Sequence, residues 1–176
     1  MAFLTPSHAI APLNIHEGMR VADFGTGGGA MAIAAARHVG HSGKVYAIDI
    51  QKGLLEKLAR HATDLHLSNL EVVWGNIDHS HGSKLAPASV DAVIIANVLF
   101  QSEHVGHLVA EAKRILKPHG KALVIDWTDS FGNMGPAHGH VVKESEAKLF
   151  FADGGFVFEK NEPAGDHHYS LLFHKP

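Results

Sequence analysis

Val21-Ala22-Asp23-Phe24-Gly25-Thr26-Gly27-Gly28-Gly29 joins a short β-rich run to a cluster of glycines, and the alanine-rich stretch Ala30 to Val39 that follows has strong helix propensity. A strand that runs into a glycine turn and opens a helix gathers free backbone N–H groups and the positive end of a helix dipole at one point. Glycine is required there because the backbone turns sharply and must come close to a ligand, where a Cβ would collide. A second acid, Asp49, closes the next strand, KVYAID at 44–49, 24 residues after Gly25. In that place a carboxylate accepts hydrogen bonds from ribose hydroxyls.

Outward from this stretch, β-rich runs alternate with helical patterns, the signature of a parallel sheet with covering helices. Apolar residues at helical spacing (Leu54, Leu55, Leu58, Ala59, Ala62) predict a helix over 51–67, and Val105 to Leu116 a second one that ends at Lys117-Pro118. Strands are predicted at 71–74, 91–96 and 121–126, the run DAVIIA suiting a strand buried on both faces. After a loop at 128–140 come a helix at 143–153 and strands at 156–160 and 169–174, joined by the polar turn 161–166. That connection is too short for a crossover, so the last two strands should form an antiparallel hairpin. The expectation is an α/β fold: a single Rossmann-like domain over 1–176, with a helical or irregular segment at 1–19. Its seven-stranded sheet should be mostly parallel, with helices on both faces.

Composition narrows the partners. A formal net charge of −3 and four scattered arginines (Arg20, Arg37, Arg60, Arg114) disfavour a nucleic-acid surface. With no cysteine, disulfides, thiolate metal sites and cysteine nucleophiles are excluded, which fits a cytoplasmic protein. No signal-peptide pattern opens the sequence, and no stretch approaches the ~18 apolar residues of a membrane span. The sixteen histidines are spread along the chain, and a surface role is the default for each.

Gly25-x-Gly27-x-x-Ala30 also satisfies a dinucleotide fingerprint, so a nicotinamide-dependent oxidoreductase competes at this point. Asp23 discriminates: its carboxylate would repel a pyrophosphate but favour the amino group and sulfonium of S-adenosylmethionine. No Tyr-x-x-x-Lys pair supports the oxidoreductase. A non-catalytic S-adenosylmethionine-binding or scaffold domain is a further alternative, but such a domain relieved of ligand has no physical need for the glycine turn and Asp49.

VADFGTGGG, VYAIDI, WGNID (74–78), SVDAVIIANVLFQ (89–101) and EAKRILKPHGKALVIDW (111–127), in this order and spacing, resemble the class I S-adenosylmethionine-dependent methyltransferases. The chain is similar in style to the ubiquinone/menaquinone-biosynthesis methyltransferases. The resemblance implies S-adenosylmethionine as cofactor and S-adenosylhomocysteine as product. It assigns the methionine part to Asp23, Gly25, Thr26, Gly27 and Gly29, and the ribose to Asp49, with Ile50 against the adenine. Asn76, Ile77 and Asp78 would line the adenine pocket, and Asn97 and Val98 would close the floor near the sulfonium.

The methyl acceptor is expected to be a small molecule, methylated at O, N, S or C. Asn97-Val98-Leu99-Phe100 lacks the Asn/Asp-Pro-Pro-Tyr/Phe grip of enzymes that act on planar amides and amines. Magnesium of the catechol type is disfavoured because Asn97 stands where an acid would be needed, so no metal is expected. Acceptor contacts are expected from Gln101, Asp126, Trp127 and His138, and a general base from His140 or His168, in the histidine-bearing loops 135–140 and 164–169. With little chain before the first strand and only a short loop after the fifth, the site should be open. A second subunit in a homodimer, or a large acceptor, would then cover it.

Overall fold

A computed structural model of the chain describes residues 5–131 and 135–176; of His138 only the backbone is described. Seven strands form one sheet in the order β3-β2-β1-β4-β5-β7-β6. They are β1 (Arg20–Phe24), β2 (Lys44–Asp49), β3 (Leu70–Trp74), β4 (Val90–Ala96), β5 (Leu116–Trp127), β6 (Val157–Glu162) and β7 (His168–His174). β1 to β5 are parallel, β7 runs antiparallel to β5, and β6 pairs antiparallel with β7. The helices are α1 (Pro6–Ala9), α2 (Ala30–Val39), α3 (Lys52–Asp64), α4 (Val105–Ile115) and α5 (Glu144–Asp153). None of the described helices is long and apolar enough to cross a membrane.

The continuous apolar runs of the central strands follow from covering both faces of the sheet. Val21, Val45, Ala92, Ile94 and Leu123 share a core with Ile10 and with Ala32, Ala35 and Val39 of α2. Their neighbours Ala22, Tyr46, Val93, Ile95 and Val124 point the other way, to Leu108 and Val109 of α4 and Phe151 of α5. Period-2 alternation therefore persists within runs that read as uniformly hydrophobic.

α3 ends at Asp64, three residues before the predicted end, and two strands also depart from expectation. β5 begins at Leu116, five residues before the predicted start, because Leu116 pairs with Val90 before a register shift brings Lys121 opposite Ala92. The hairpin forms as expected, but β6 extends to Glu162 through residues predicted as turn. As an edge strand it is exposed from Val157 to Asn161, so polar residues there cost nothing.

Gly29 illustrates how the motif serves packing as well as binding. It caps α2 with φ 81°, and a Cβ there would lie 2.2 Å from Cδ1 of Leu58 on α3. Leu58 is buried, so its side chain would have to repack within the core to admit a methyl group. Gly29→Ala is expected to destabilise the chain by about 2 kcal/mol from backbone strain and overpacking. In thermal unfolding that corresponds to a Tm lower by roughly 4–8 °C; an unchanged Tm would contradict this packing role.

Candidate functional site

The strand order reverses between β1 and β4, and ligands bind at such a switch point beyond the carboxyl ends of the strands. A cavity of about 160 Å³, partly open to solvent, lies there. It takes Gly25 and Gly27 from the turn after β1, Asp49 and Ile50 after β2, Asn76, Ile77 and Asp78 after β3, and Val98 and Gln101 after β4. All nine were assigned from sequence. Ile48, Gln51, Gly75 and Ser102 complete the lining, each adjacent in sequence to an assigned residue.

Local structure explains the turn after β1. Gly25 has φ 67°, and a Cβ on it would lie 2.6 Å from Cγ2 of Val98. The first turn and the end of β4 thus meet only because Gly25 has no side chain. Asp49 receives the N–H of Gly27 on Oδ2 and the N–H of Gln51 on Oδ1, both at 2.9 Å. A carboxylate offers about four acceptor positions, so one lone pair on each oxygen remains for ligand hydroxyls.

Asp23 and Thr26 stand behind the lining, buried together, with the Thr26 hydroxyl donating to Asp23 Oδ2 at 2.6 Å. Burial raises the Asp23 carboxyl to about 7, against the opposing pull of the Thr26 hydrogen bond. Gly29 is likewise outside the lining, at its contact with Leu58.

In the loop after β3, Asn76 and Asp78 are already engaged. Asn76 Oδ1 accepts the N–H of Asp78 at 3.0 Å, and Asp78 takes the Ser102 hydroxyl at 2.6 Å and the Glu103 N–H at 3.0 Å. These bonds join the loop after β3 to the loop after β4. The loop after β3 is held from below by Glu111 on α4, which accepts from the N–H groups of His81 and Ser83, the Ser83 hydroxyl and Arg114.

The residues fit S-adenosylmethionine. No lysine or arginine is among the described residues that line the cavity, so a pyrophosphate there would have only backbone N–H groups to balance it. Asn97 adopts φ 58°, and its Oδ1 is buried with no hydrogen-bond partner. Asn97 is not itself among the lining residues but precedes Val98, which is, and an orphaned buried acceptor there is one that a ligand donor could satisfy.

Of the residues assigned to the acceptor, Gln101 lines this cavity, whereas Asp126 and Trp127 are not among its lining residues. Asp126 has no exposed surface, and it accepts the N–H groups of Leu99 and Trp127 at 2.8 Å each. Burial raises its carboxyl, and those backbone bonds oppose the rise. The Trp127 ring lies 4.2 Å from that of His168. His140 is exposed on the short turn His138–His140. The side chain of His138, assigned to the acceptor, lies outside the described structure. Among the described residues no cluster of three or more His, Asp or Glu could hold a metal ion.

Residues 15–163 match a family model described as a methyltransferase domain. The ubiquinone/menaquinone biosynthesis C-methyltransferase UbiE of Bordetella avium (strain 197N) is 30% identical over 129 residues, 73% of this chain and 49% of the relative. A demethylmenaquinone methyltransferase of Oceanobacillus iheyensis is 30% identical over 65% of this chain and 47% of its own length. The chain thus spans about half the length of the curated relatives it matches. The crystal structure of a SAM-dependent methyltransferase from Aquifex aeolicus superposes with a TM-score of 0.89 at 26% identity, covering 99% of this chain and 91% of that one. The [4+2]-cyclase SpnF, at 15% identity and a TM-score of 0.83 over 97% of this chain and 80% of its own, shares the fold. Family model, relatives and fold agree with the geometry of the cavity, and the chain belongs to the class I S-adenosylmethionine-dependent methyltransferases.

Proposed function

We propose that the chain is an enzyme that moves the methyl group of S-adenosylmethionine to an O, N, S or C atom of a small-molecule acceptor. The observation that carries this reading is the cavity at the switch point, acidic at Asp49 and free of lysine and arginine among its described lining residues. The bound cofactor supplies an activated methyl group, so the protein's task is to bind, align and exclude water. Asp49 holds the ribose, the turn at Gly25 and Gly27 admits the methionine part, and Ile50 and Ile77 face the adenine. Val98 walls the methyl end, where Asn97 offers its spare acceptor. The continuous sheet supports one domain over 1–176, and the lack of cysteine supports a cytoplasmic location. Exposed Ile50, Gln51 and Gln101 leave the rim open, which supports a second copy of the chain or the acceptor itself as its cover.

Calorimetric titration with S-adenosylhomocysteine, with NAD in parallel, tests the reading. Micromolar binding of the former alone is expected; binding of NAD instead, or of neither, would overturn it. The affinity should also depend on pH. Asp23 keeps its proton up to about pH 7 in the folded chain and releases it near 3.8 when unfolded. Between these values the folded state binds more protons, so the ligand-free chain loses stability as pH rises. A cationic amino group beside Asp23 favours the ionised form. Affinity should therefore fall as pH drops below about 7, approaching tenfold per pH unit, and level off above. A flat affinity across neutrality would show that Asp23 exchanges no proton on binding.

A further inference from the structure

Two adjacent histidines in the turn between β6 and β7 are positioned differently. His168 opens β7 opposite Trp127, stacks near that indole, and places Nδ1 3.0 Å from the carbonyl of Asp166. His167 has a left-handed backbone, φ 62°, and its Nδ1 lies 2.9 Å and 3.2 Å from the two carboxylate oxygens of Asp129. Its ring stacks on Phe131 with centroids 3.9 Å apart and planes 25° from parallel, and its side chain is 24% exposed. The N–H of Thr128 donates to the His167 carbonyl at 2.9 Å, tying this turn to the segment that leaves β5.

A carboxylate at Nδ1 selects the tautomer that carries its hydrogen there, which leaves the lone pair on Nε2. Phe131 and the left-handed backbone limit the ring's freedom. Because β7 runs antiparallel to β5, its first residues lie at the same edge of the sheet as the carboxyl ends of the parallel strands. β5 alone separates β7 from β4, whose end puts Val98 in the cavity wall. Two strand spacings amount to about 10 Å, a span on the scale of one small acceptor.

We propose that His167, oriented by Asp129, takes the proton that the acceptor must lose on methylation. The assignment rests on the methyltransferase reading above and differs from the sequence-based choice of His140 or His168. For a hydroxyl acceptor, the oxygen forms the new O–CH₃ bond while the S–CH₃ bond breaks with its electron pair left on sulfur. The hydroxyl proton passes to Nε2 of His167 and from there to solvent. Asp129 is a positioning residue; Asp166 and His168 flank His167 in sequence, and Asp126 interacts electrostatically with His168. His140 has no comparable carboxylate partner among the described hydrogen bonds, and His168 uses Nδ1 on a backbone carbonyl.

The probe is 4-nitrophenol, whose phenolate absorbs visible light, added to the full chain loaded with S-adenosylhomocysteine at a pH below the phenol's own ionisation. The wild-type chain should show the phenolate band, and His167→Gln should abolish it. Asp129→Asn should weaken it several-fold and move its pH midpoint upward. S-adenosylhomocysteine affinity, which reports folding, should be the same in all three. A missing band in a wild-type chain that binds S-adenosylhomocysteine, or a band that survives His167→Gln, would overturn the proposal. Failure of the wild-type chain to bind S-adenosylhomocysteine would instead remove the cofactor reading, and the proposal with it.

Discussion

Asp49→Ala is expected to weaken S-adenosylhomocysteine binding by roughly 10²–10³-fold, since each hydrogen bond to a charged group contributes about 1.5–3 kcal/mol. The Asp49 carboxylate does two jobs through different lone pairs. One pair fixes the turn after β1 and the start of α3 through Gly27 and Gln51, and the other is left for ribose hydroxyls. Alanine removes both, while Asp49→Asn keeps the size but turns one oxygen into a donor. The asparagine variant should fall between, losing roughly tenfold. Calorimetry reads the affinities, and thermal unfolding of the ligand-free proteins separates lost ribose contacts from a loosened turn. A dissociation constant within threefold of wild type for the alanine variant would remove Asp49 from the ribose site.

Glu111→Ala should be among the most destabilising single substitutions away from the cavity. The Glu111 side chain is 1% exposed and pairs with Arg114 at 2.7 Å, while the Ser83 hydroxyl donates to it at 2.5 Å. Removing the acid leaves a partly buried guanidinium without its counter-charge, a loss of about 3–5 kcal/mol. That corresponds to a Tm lower by roughly 6–20 °C. Burial by itself would raise the Glu111 carboxyl, but hydrogen bonds from Arg114 and Ser83 outweigh it and hold the group at about 2, against 4.5 in the unfolded chain. The unfolded state binds more protons between those values, so this stabilisation is complete above 4.5 and is lost as pH falls toward 2. Acid unfolding should be correspondingly shallower in Glu111→Gln than in wild type. A Glu111→Ala Tm within two or three degrees of wild type would mean the network adds little.

The parallel half of the sheet was legible because its signals are local and strong. α2 and β2 fall on their predicted bounds, where a glycine cluster and an apolar run punctuate the sequence. The early start of β5 was hidden because Lys117-Pro118-His119-Gly120 reads as a turn, and only the partner at Val90 reveals a strand. β6 was shifted because an edge strand needs no apolar alternation. In the site, nine assigned residues line the cavity, whereas Asp23, Thr26, Gly29 and Asn97 are not among its lining residues. Spacing places a residue in a turn but does not say whether its side chain faces ligand or core. The Glu111–Arg114 pair looks like an ordinary exposed i,i+3 pair, and its burial follows from the loop after β3 folding onto α4. His167 and Asp129 are 38 residues apart, and only the antiparallel pairing of β5 with β7 brings them together.

The insertion of β7 between β5 and β6 also sets the timing of assembly. β1 to β4 are complete, and can pair, while the later strands are still unmade. β5 must wait for Leu171, Leu172 and Phe173, made last among the strands, before its open edge is covered. Pairing across so long a sequence separation is slow. During synthesis the cofactor half should therefore become native first, with the apolar edge of β5 the surface most exposed to aggregation until β7 arrives.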